Sequence, residues 1–251
     1  TAAFPCCCPP TVSTACAPRP PRCALIWEEP GDLERLRLHH WSTILDRESH
    51  TVDHELLARA HALAFEVAVG EWHANRQFTA DHAAELMREN LRLQLSPEVQ
   101  AELAFAFSAA GLETPLRTAV GVRDALMQLR ELGIKIGIVC DVGLTPSPVL
   151  RAHLDKRGLL NLFDHWSFSD ETGAYKPDET AFRHACEGLD VAPANVAHIG
   201  DQRRTDVAGA LGAGLTAVRY TGIFDDPNED LPSGDAVING YDQLLQVLGL
   251  G

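Results

Sequence analysis

The sequence predicts an α/β fold in which a Rossmann-like parallel sheet forms the core and a helical cap is inserted after the first strand. Two changes along the chain support this class. Residues 51–112 place apolar side chains at helical spacing only, whereas residues 113–251 alternate short apolar segments with helical ones. The chain has 251 residues, of which 45% are hydrophobic and 22% charged. This is sufficient for one large core.

These changes divide the chain into three predicted parts. They are a disordered extension rich in proline and cysteine at residues 1–32, a core domain at residues 33–50 and 113–251, and the cap at residues 51–112.

The extension is expected to be disordered because its first thirty residues hold seven of the 15 prolines and five of the seven cysteines. Its run of three cysteines lacks the two-residue spacer of paired zinc ligands. It also lacks the basic start and continuous apolar stretch of a secretory signal. Only Cys140 and Cys186 lie in the predicted globular part, which suits a reducing compartment. We therefore expect a cytoplasmic protein.

Three helices are predicted in the cap. Apolar residues recur at helical spacing from Leu56 to Val67. Thr79 is a suitable N-cap for a second helix over residues 80–95, and Ser96 followed by Pro97 starts a third.

The predicted core alternates helices and strands. A helix over residues 122–132 ends at Gly133, and the apolar, β-branched segment 134–139 is typical of a buried strand. Short connections favour a parallel sheet with right-handed crossovers. We therefore expect ligands to bind at the carboxyl ends of the strands. The remaining predicted elements are helix 147–157, strand 165–168, helix 178–188, strand 196–199, helix 204–213 and strand 216–220.

The net charge of -14, from 35 acidic and 21 basic residues, repels phosphate backbones and anionic membrane surfaces. The sequence has no apolar run near the roughly 20 residues needed to cross a bilayer. We therefore expect neither nucleic acid nor a membrane as a partner. The sequence does not predict an oligomeric state.

The strongest motif is the string HIGDQRRTDVAGA at residues 198–210. The predicted strand delivers Asp201 to its carboxyl end, and Asp206 lies one turn into the following helix. Two carboxylates in one cavity repel each other unless a cation joins them, and Mg²⁺ prefers oxygen ligands. The alternative is that Asp206 only complements the helix dipole. The string resembles the fourth motif of the haloacid dehalogenase-like (HAD-like) hydrolases, and this resemblance implies a magnesium site at Asp201 and Asp206.

The segment TGAYKPD at residues 172–178 resembles the third motif of the same family, in which a lysine precedes a proline that opens a helix. The resemblance implies that Lys176 neutralises the anionic site. Most single lysines are only solvated surface charges, but the position of Lys176 between two predicted strands and before Asp201 favours the site.

The segment GIVCDVG at residues 137–143 occupies the place of the second motif, where the family has a serine or threonine that binds the phosphoryl group. Cys140 stands there, followed by Asp141, and both are candidate site residues. A thiol is a weak donor, so Cys140 would hold transition-state charge less well. The alternative is a small buried cysteine packed at a strand end.

The first motif departs from the family, whose nucleophile is an aspartate after the first strand. The preferred register lies in residues 36–46, with a strand near Leu36–Leu38. It places His39 at the nucleophile position and Trp41 at the acid position. This register is preferred because it leads into the cap at the usual interval.

A rival register uses residues 24–33, with Glu28 as nucleophile and Pro30 at the acid position. Neither register supplies an aspartate at the nucleophile position.

These observations predict a HAD-like protein that has lost the nucleophilic aspartate and binds a ligand, such as a small anionic molecule, or a protein partner. Magnesium binding is expected to be weakened by the same loss. The alternative is an active hydrolase of phosphatase or dehalogenase type, or an altered catalyst that uses His39 or Glu28. Function does not follow from fold.

Overall fold

The computed structural model describes residues 26–27, 32–114 and 117–251. Its α-helices are α1 (Asp32–Arg47), α2 (His54–His73), α3 (Ala80–Asn90), α4 (Pro97–Glu113), α5 (Val122–Glu131), α6 (Ser147–Lys156), α7 (Ser169–Thr172), α8 (Glu179–Leu189), α9 (Ala208–Gly212) and α10 (Leu244–Val247). Its strands are β1 (Ile26–Trp27), β2 (Arg117–Thr118), β3 (Gly137–Cys140), β4 (His165–Phe168), β5 (Ala197–Gly200), β6 (Thr216–Tyr220) and β7 (Ala236–Ile238).

The core strands are parallel, as predicted. Strand β3 pairs with β4, and β6 pairs with both β5 and β7. Strands β1 and β2 form a separate antiparallel pair. In the part of the chain that the structure describes, β3 and β5 each have one neighbour, and no strand pairs with both.

The three helices predicted for the cap are confirmed as α2, α3 and α4. Asp53 caps α2. Thr79 caps α3 and forms a reciprocal capping box with His82. Ser96 accepts from the backbone N–H of Val99 at the start of α4. Helix α3 ends at Asn90, earlier than predicted.

The core elements match the predicted order with shifted ends. Strand β3 begins at Gly137 rather than residue 134. Glycine at position 133 takes the left-handed conformation (φ 72°). The helix predicted over residues 204–213 is a π-turn (Arg203–Val207) followed by α9.

The strand predicted near Leu36–Leu38 is wrong, because these residues lie within the 16-residue helix α1. Its buried apolar residues Leu38, Trp41 and Leu45 recur every three or four positions, which is the helical period. Acidic residues occupy the first turn and Arg47 the last, which suits the helix dipole. The predicted domain boundaries stay a prediction.

Helices α1 to α4, called the helical cluster below, share one apolar core. Helix α1 packs against α4 and α2, and Trp41 is completely buried among them. A second core lies under β3, β4 and α5, and a third between α8, α9 and β6. Among the described helices, none is long and apolar enough to span a membrane.

Candidate active site

The loops that follow β3, β4 and β5 meet at the carboxyl ends of these strands. The Lys176 ammonium group donates to Asp206 Oδ1 at 2.5 Å, and the Lys176 backbone N–H donates to Asp141 Oδ1 at 2.9 Å. The structure therefore brings together three of the residues that the motifs single out, although they lie far apart in the sequence.

Asp206 is the most heavily hydrogen-bonded carboxylate of the site. Besides Lys176, its Oδ1 lies 3.0 Å from His198 Nε2, and its Oδ2 accepts from the Gln202 backbone N–H at 3.0 Å. Burial would raise the pKa of Asp206, but the positive charge of Lys176 and the hydrogen bond from His198 outweigh burial and lower it. Asp206 is therefore a carboxylate at neutral pH.

Lys176 is only 9% exposed. Burial would lower its pKa, but the charges of Asp206 and Asp141 outweigh burial and raise it well above its usual value. In contrast, burial raises the pKa of Asp141, and Lys176 offsets this only in part. The site therefore holds Lys176 as a permanent cation next to Asp141, whose carboxyl group is harder to ionise than usual.

His198 is a site residue that sequence reasoning missed. It lies on β5 two residues before Gly200, so the two share one face of the strand. The alternation of side chains along the strand could have indicated His198, because Gly200 directly precedes Asp201 and His198 lies on the same face as Gly200. The His198 ring also packs edge-on against Phe182 at a centroid distance of 5.1 Å.

Asp201 follows β5 and is 1% exposed. Burial raises the pKa of Tyr220, and the charge of Asp201 adds to this effect. Glycine is required just before it, because a Cβ at Gly200 would fall well inside van der Waals contact with Cγ and Cβ of Asp206.

We expect Gly200→Ala to lower the free energy of unfolding by about 1–3 kcal/mol, because Asp206 must move away from the added methyl group. Urea unfolding followed by circular dichroism would measure this change. Gly212→Ala is the matched control, since a Cβ at Gly212 meets nothing within 4 Å. Equal stability of the two variants would contradict the close approach of Asp206 to Gly200.

Cys140 ends β3 beside Phe168 of β4. It is partly buried, and its thiol lies 3.8 Å from the Asp141 carbonyl, which is a weak contact. It also packs against the apolar core beneath β3.

The structure does not place His39 and Trp41 with Lys176. His39 is exposed on α1 beside the His40 ring, and Trp41 fills the core of the helical cluster. Their assignment to the end of a strand is wrong, because the residues just before them, Leu36–Leu38, are helical. Strand β1, by contrast, lies within the rival register. Glu28 and Pro30 lie outside the described residues.

The donor set at Asp201 and Asp206 was compared with the needs of magnesium, which takes six oxygen ligands in near-octahedral geometry. Both oxygens of Asp206 already accept hydrogen bonds. In the described ranges, no group of three or more acidic, histidine or cysteine side chains is arranged to hold a metal ion. These residues alone therefore do not fit a complete magnesium site, and magnesium stays a prediction.

Comparison with known proteins assigns the family. The family model described as haloacid dehalogenase-like hydrolase matches residues 22–214, and the chain therefore belongs to this family. The chain is 31% identical over 139 residues to the glyceraldehyde 3-phosphate phosphatase of Pyrococcus furiosus, covering 54% of this chain and 56% of that protein. It is 34% identical over 130 residues to the enzyme of the same name from Methanopyrus kandleri, covering 51% and 54%.

The chain thus spans about half the length of these curated relatives. Over a longer stretch it is similar to the crystal structure of the HAD phosphatase from Thermococcus onnurineus. That match has a TM-score of 0.59 at 25% identity and covers 90% of this chain and 93% of the other.

Proposed function

We propose that this chain binds the phosphate group of a small phosphorylated metabolite at Lys176 and has lost ordinary aspartate-based hydrolysis. The observation that supports binding is the buried ammonium group of Lys176, which donates to Asp206 while the backbone N–H of the same residue donates to Asp141, at the ends of parallel strands. A buried cation beside backbone loops is the kind of group that stabilises phosphoryl charge.

The proposed loss of hydrolysis rests on the first motif. Strand β1 ends at Trp27, and the next residues are two glutamates, a proline and a glycine. No aspartate lies between β1 and Asp32, which begins α1. The family uses an aspartate as the nucleophile that forms its acyl-phosphate intermediate, and the carboxylate that follows β1 in this chain is a glutamate, Glu28.

A second candidate function is an active phosphatase that uses Glu28. It is supported by the position of Glu28 directly after β1 and by the phosphatase names of the archaeal relatives. Those relatives are named for glyceraldehyde 3-phosphate, so a small sugar phosphate is the substrate class to test.

The binding proposal is tested by calorimetric titration with glyceraldehyde 3-phosphate and with inorganic phosphate, each with and without Mg²⁺. We expect wild type to bind at least one of them and the double variant Lys176→Met/Asp206→Asn to bind neither. The double variant removes both charges of the buried ion pair together, so that Asp206 is not left as a carboxylate without its cation. Lys156→Met, on a more exposed lysine at the end of α6, is the matched control. Equal binding by the double variant would overturn the proposal.

The loss of hydrolysis is tested separately by phosphate release from an aryl phosphate and from glyceraldehyde 3-phosphate in the presence of Mg²⁺. We expect release at the background rate. Robust turnover that disappears in Asp201→Asn would overturn the proposed loss, and its disappearance in Glu28→Gln would establish the second candidate.

A further inference from the structure

Arg204 joins the site to the helical cluster. Its guanidinium lies over the Trp72 ring at 4.5 Å from the ring centroid and donates to Asn75 Oδ1 at 2.8 Å. Its second terminal nitrogen donates a long hydrogen bond to the Trp72 carbonyl oxygen at 3.4 Å. Trp72 belongs to the last turn of α2, and Asn75 lies in the α2–α3 turn (residues 74–79). Arg204 thus makes two contacts with the last turn of α2 and one with the α2–α3 turn.

These contacts suit the chemistry of a helix end. The last carbonyl groups of a helix carry partial negative charge, so a cation is stabilised there. Stacking on a tryptophan ring adds a cation–π attraction. Arg204 is partly buried, and burial lowers its pKa, while the charges of Asp141 and Asp226 oppose that effect.

A second contact runs beside the first. Gln77, also in the α2–α3 turn, donates to the Val142 carbonyl at 2.9 Å and accepts from the Ser169 hydroxyl at 3.2 Å. Val142 follows β3 and Ser169 follows β4. The α2–α3 turn therefore contacts the loops after all three strands that bear site residues.

Arg204 differs from Gln77 in its position relative to the carboxylates. It lies in the π-turn (Arg203–Val207), between Asp201 and Asp206. A movement of α2 that pulls on Arg204 is thus transmitted to the backbone that positions Asp206 and, through it, Lys176.

We propose that Arg204 is a positioning residue that holds the α2–α3 turn against the carboxyl ends of the strands and thereby couples the placement of the helical cluster to ligand binding at Lys176. The coupling to ligand rests on the proposed function, whereas the attachment itself does not. Arg204 acts through Asp206 and the α2–α3 turn.

Hydrogen exchange of the full chain without ligand tests the attachment. The amides of Ala74, Asn75 and Arg76 donate to carbonyls of α2, so their protection reports the order of the turn. We expect Arg204→Met to speed their exchange by about thirtyfold or more, the factor that corresponds to one cation–π contact and one charged hydrogen bond. Unchanged exchange in Arg204→Met would overturn the proposal.

Arg203→Met is the matched control, because the neighbouring Arg203 donates to the carbonyls of Asp226 and Leu231 rather than to the helical cluster. It should leave the exchange of the α2–α3 turn at the wild-type rate. Arg204→Lys keeps the charge but loses the planar fork, and intermediate exchange rates are expected. Equal acceleration by Arg203→Met would show a general loss of stability and would overturn the specific role of Arg204.

Coupling to ligand is read from the same amides after addition of inorganic phosphate. We expect phosphate to slow their exchange in wild type and to have little effect in Arg204→Met, with a dissociation constant raised about fivefold or more in the variant. An unchanged dissociation constant in Arg204→Met would overturn the coupling. If phosphate fails to bind wild type, the proposed function fails, and the ligand-free experiment still decides the attachment.

Discussion

Lys176→Met is expected to lower the free energy of unfolding by about 3–5 kcal/mol at neutral pH, because it leaves the Asp206 carboxylate buried without its cation. Both side chains are shielded from solvent, and their charged atoms lie 2.5 Å apart. Removing one partner of a buried pair costs far more than the pair contributes, since the remaining charge keeps its desolvation penalty. Urea unfolding of wild type and variant at neutral pH measures the difference.

A double-mutant cycle separates the loss of charge from the loss of packing. Adding Asp206→Asn to Lys176→Met should restore part of the lost stability, because the second change removes the unpaired charge. Lys156→Met is again the control for replacing a lysine. Additive effects of the two site substitutions, or a loss below about 1 kcal/mol for Lys176→Met, would show that the ion pair is not buried in solution.

The second large effect is expected on acidification and depends on His61. This residue of α2 is 3% exposed and stacks on Phe107 with 5.6 Å between ring centroids. Among the described residues, no group hydrogen-bonds to its Nε2. Burial first, and then the charge of Arg37, lower the pKa of His61 to about 4.

The direction of the pH effect follows from these values. Above the ordinary histidine pKa near 6.5, His61 is neutral in both the folded and the unfolded chain and contributes no pH dependence. Below it, the unfolded chain takes up a proton that the folded chain accepts only near pH 4. Stability is therefore lost as the pH falls through this window, by about 2–3 kcal/mol from about pH 7.5 to about pH 4.5.

His61→Leu should remove this part of the pH dependence, which is measured as the difference in unfolding free energy between the two pH values. His54→Leu, on an exposed histidine in the first turn of the same helix, controls for the loss of a histidine. The same acid-induced loss in wild type and His61→Leu would contradict the buried, neutral state of His61.

Local sequence patterns predicted most of the described fold. The caps at Thr79 and Ser96 act on backbone groups within a few residues, so the starts of α3 and α4 follow from short strings. The parallel core follows from the alternation of apolar and helical segments. The meeting of Asp141, Lys176 and Asp206 follows from the rule that parallel strands end at one edge.

Helix α1 could not be assigned in this way. The apolar residues around Leu38 are few enough to fit either a short strand or a helix face. Packing against α4 and α2 selects the helix, because it buries Trp41 and Leu45 in the core of the helical cluster. Such contacts join residues that lie far apart in the chain, and the local spacing of apolar residues does not indicate them.

The sequence alone was sufficient to predict the α/β class, the order of the core elements and the three segments that carry Asp141, Lys176 and Asp206, because each depends on short-range periodicity or on spacing within one motif. Only the tertiary structure decided that α1 is a helix of the cluster, that His198 bonds to Asp206 and that Arg204 reaches Trp72. The reason is physical. These features are set by which surfaces pack together once the elements exist, and the burial of Lys176 with Asp206 shows how strongly that packing controls the charges of the site.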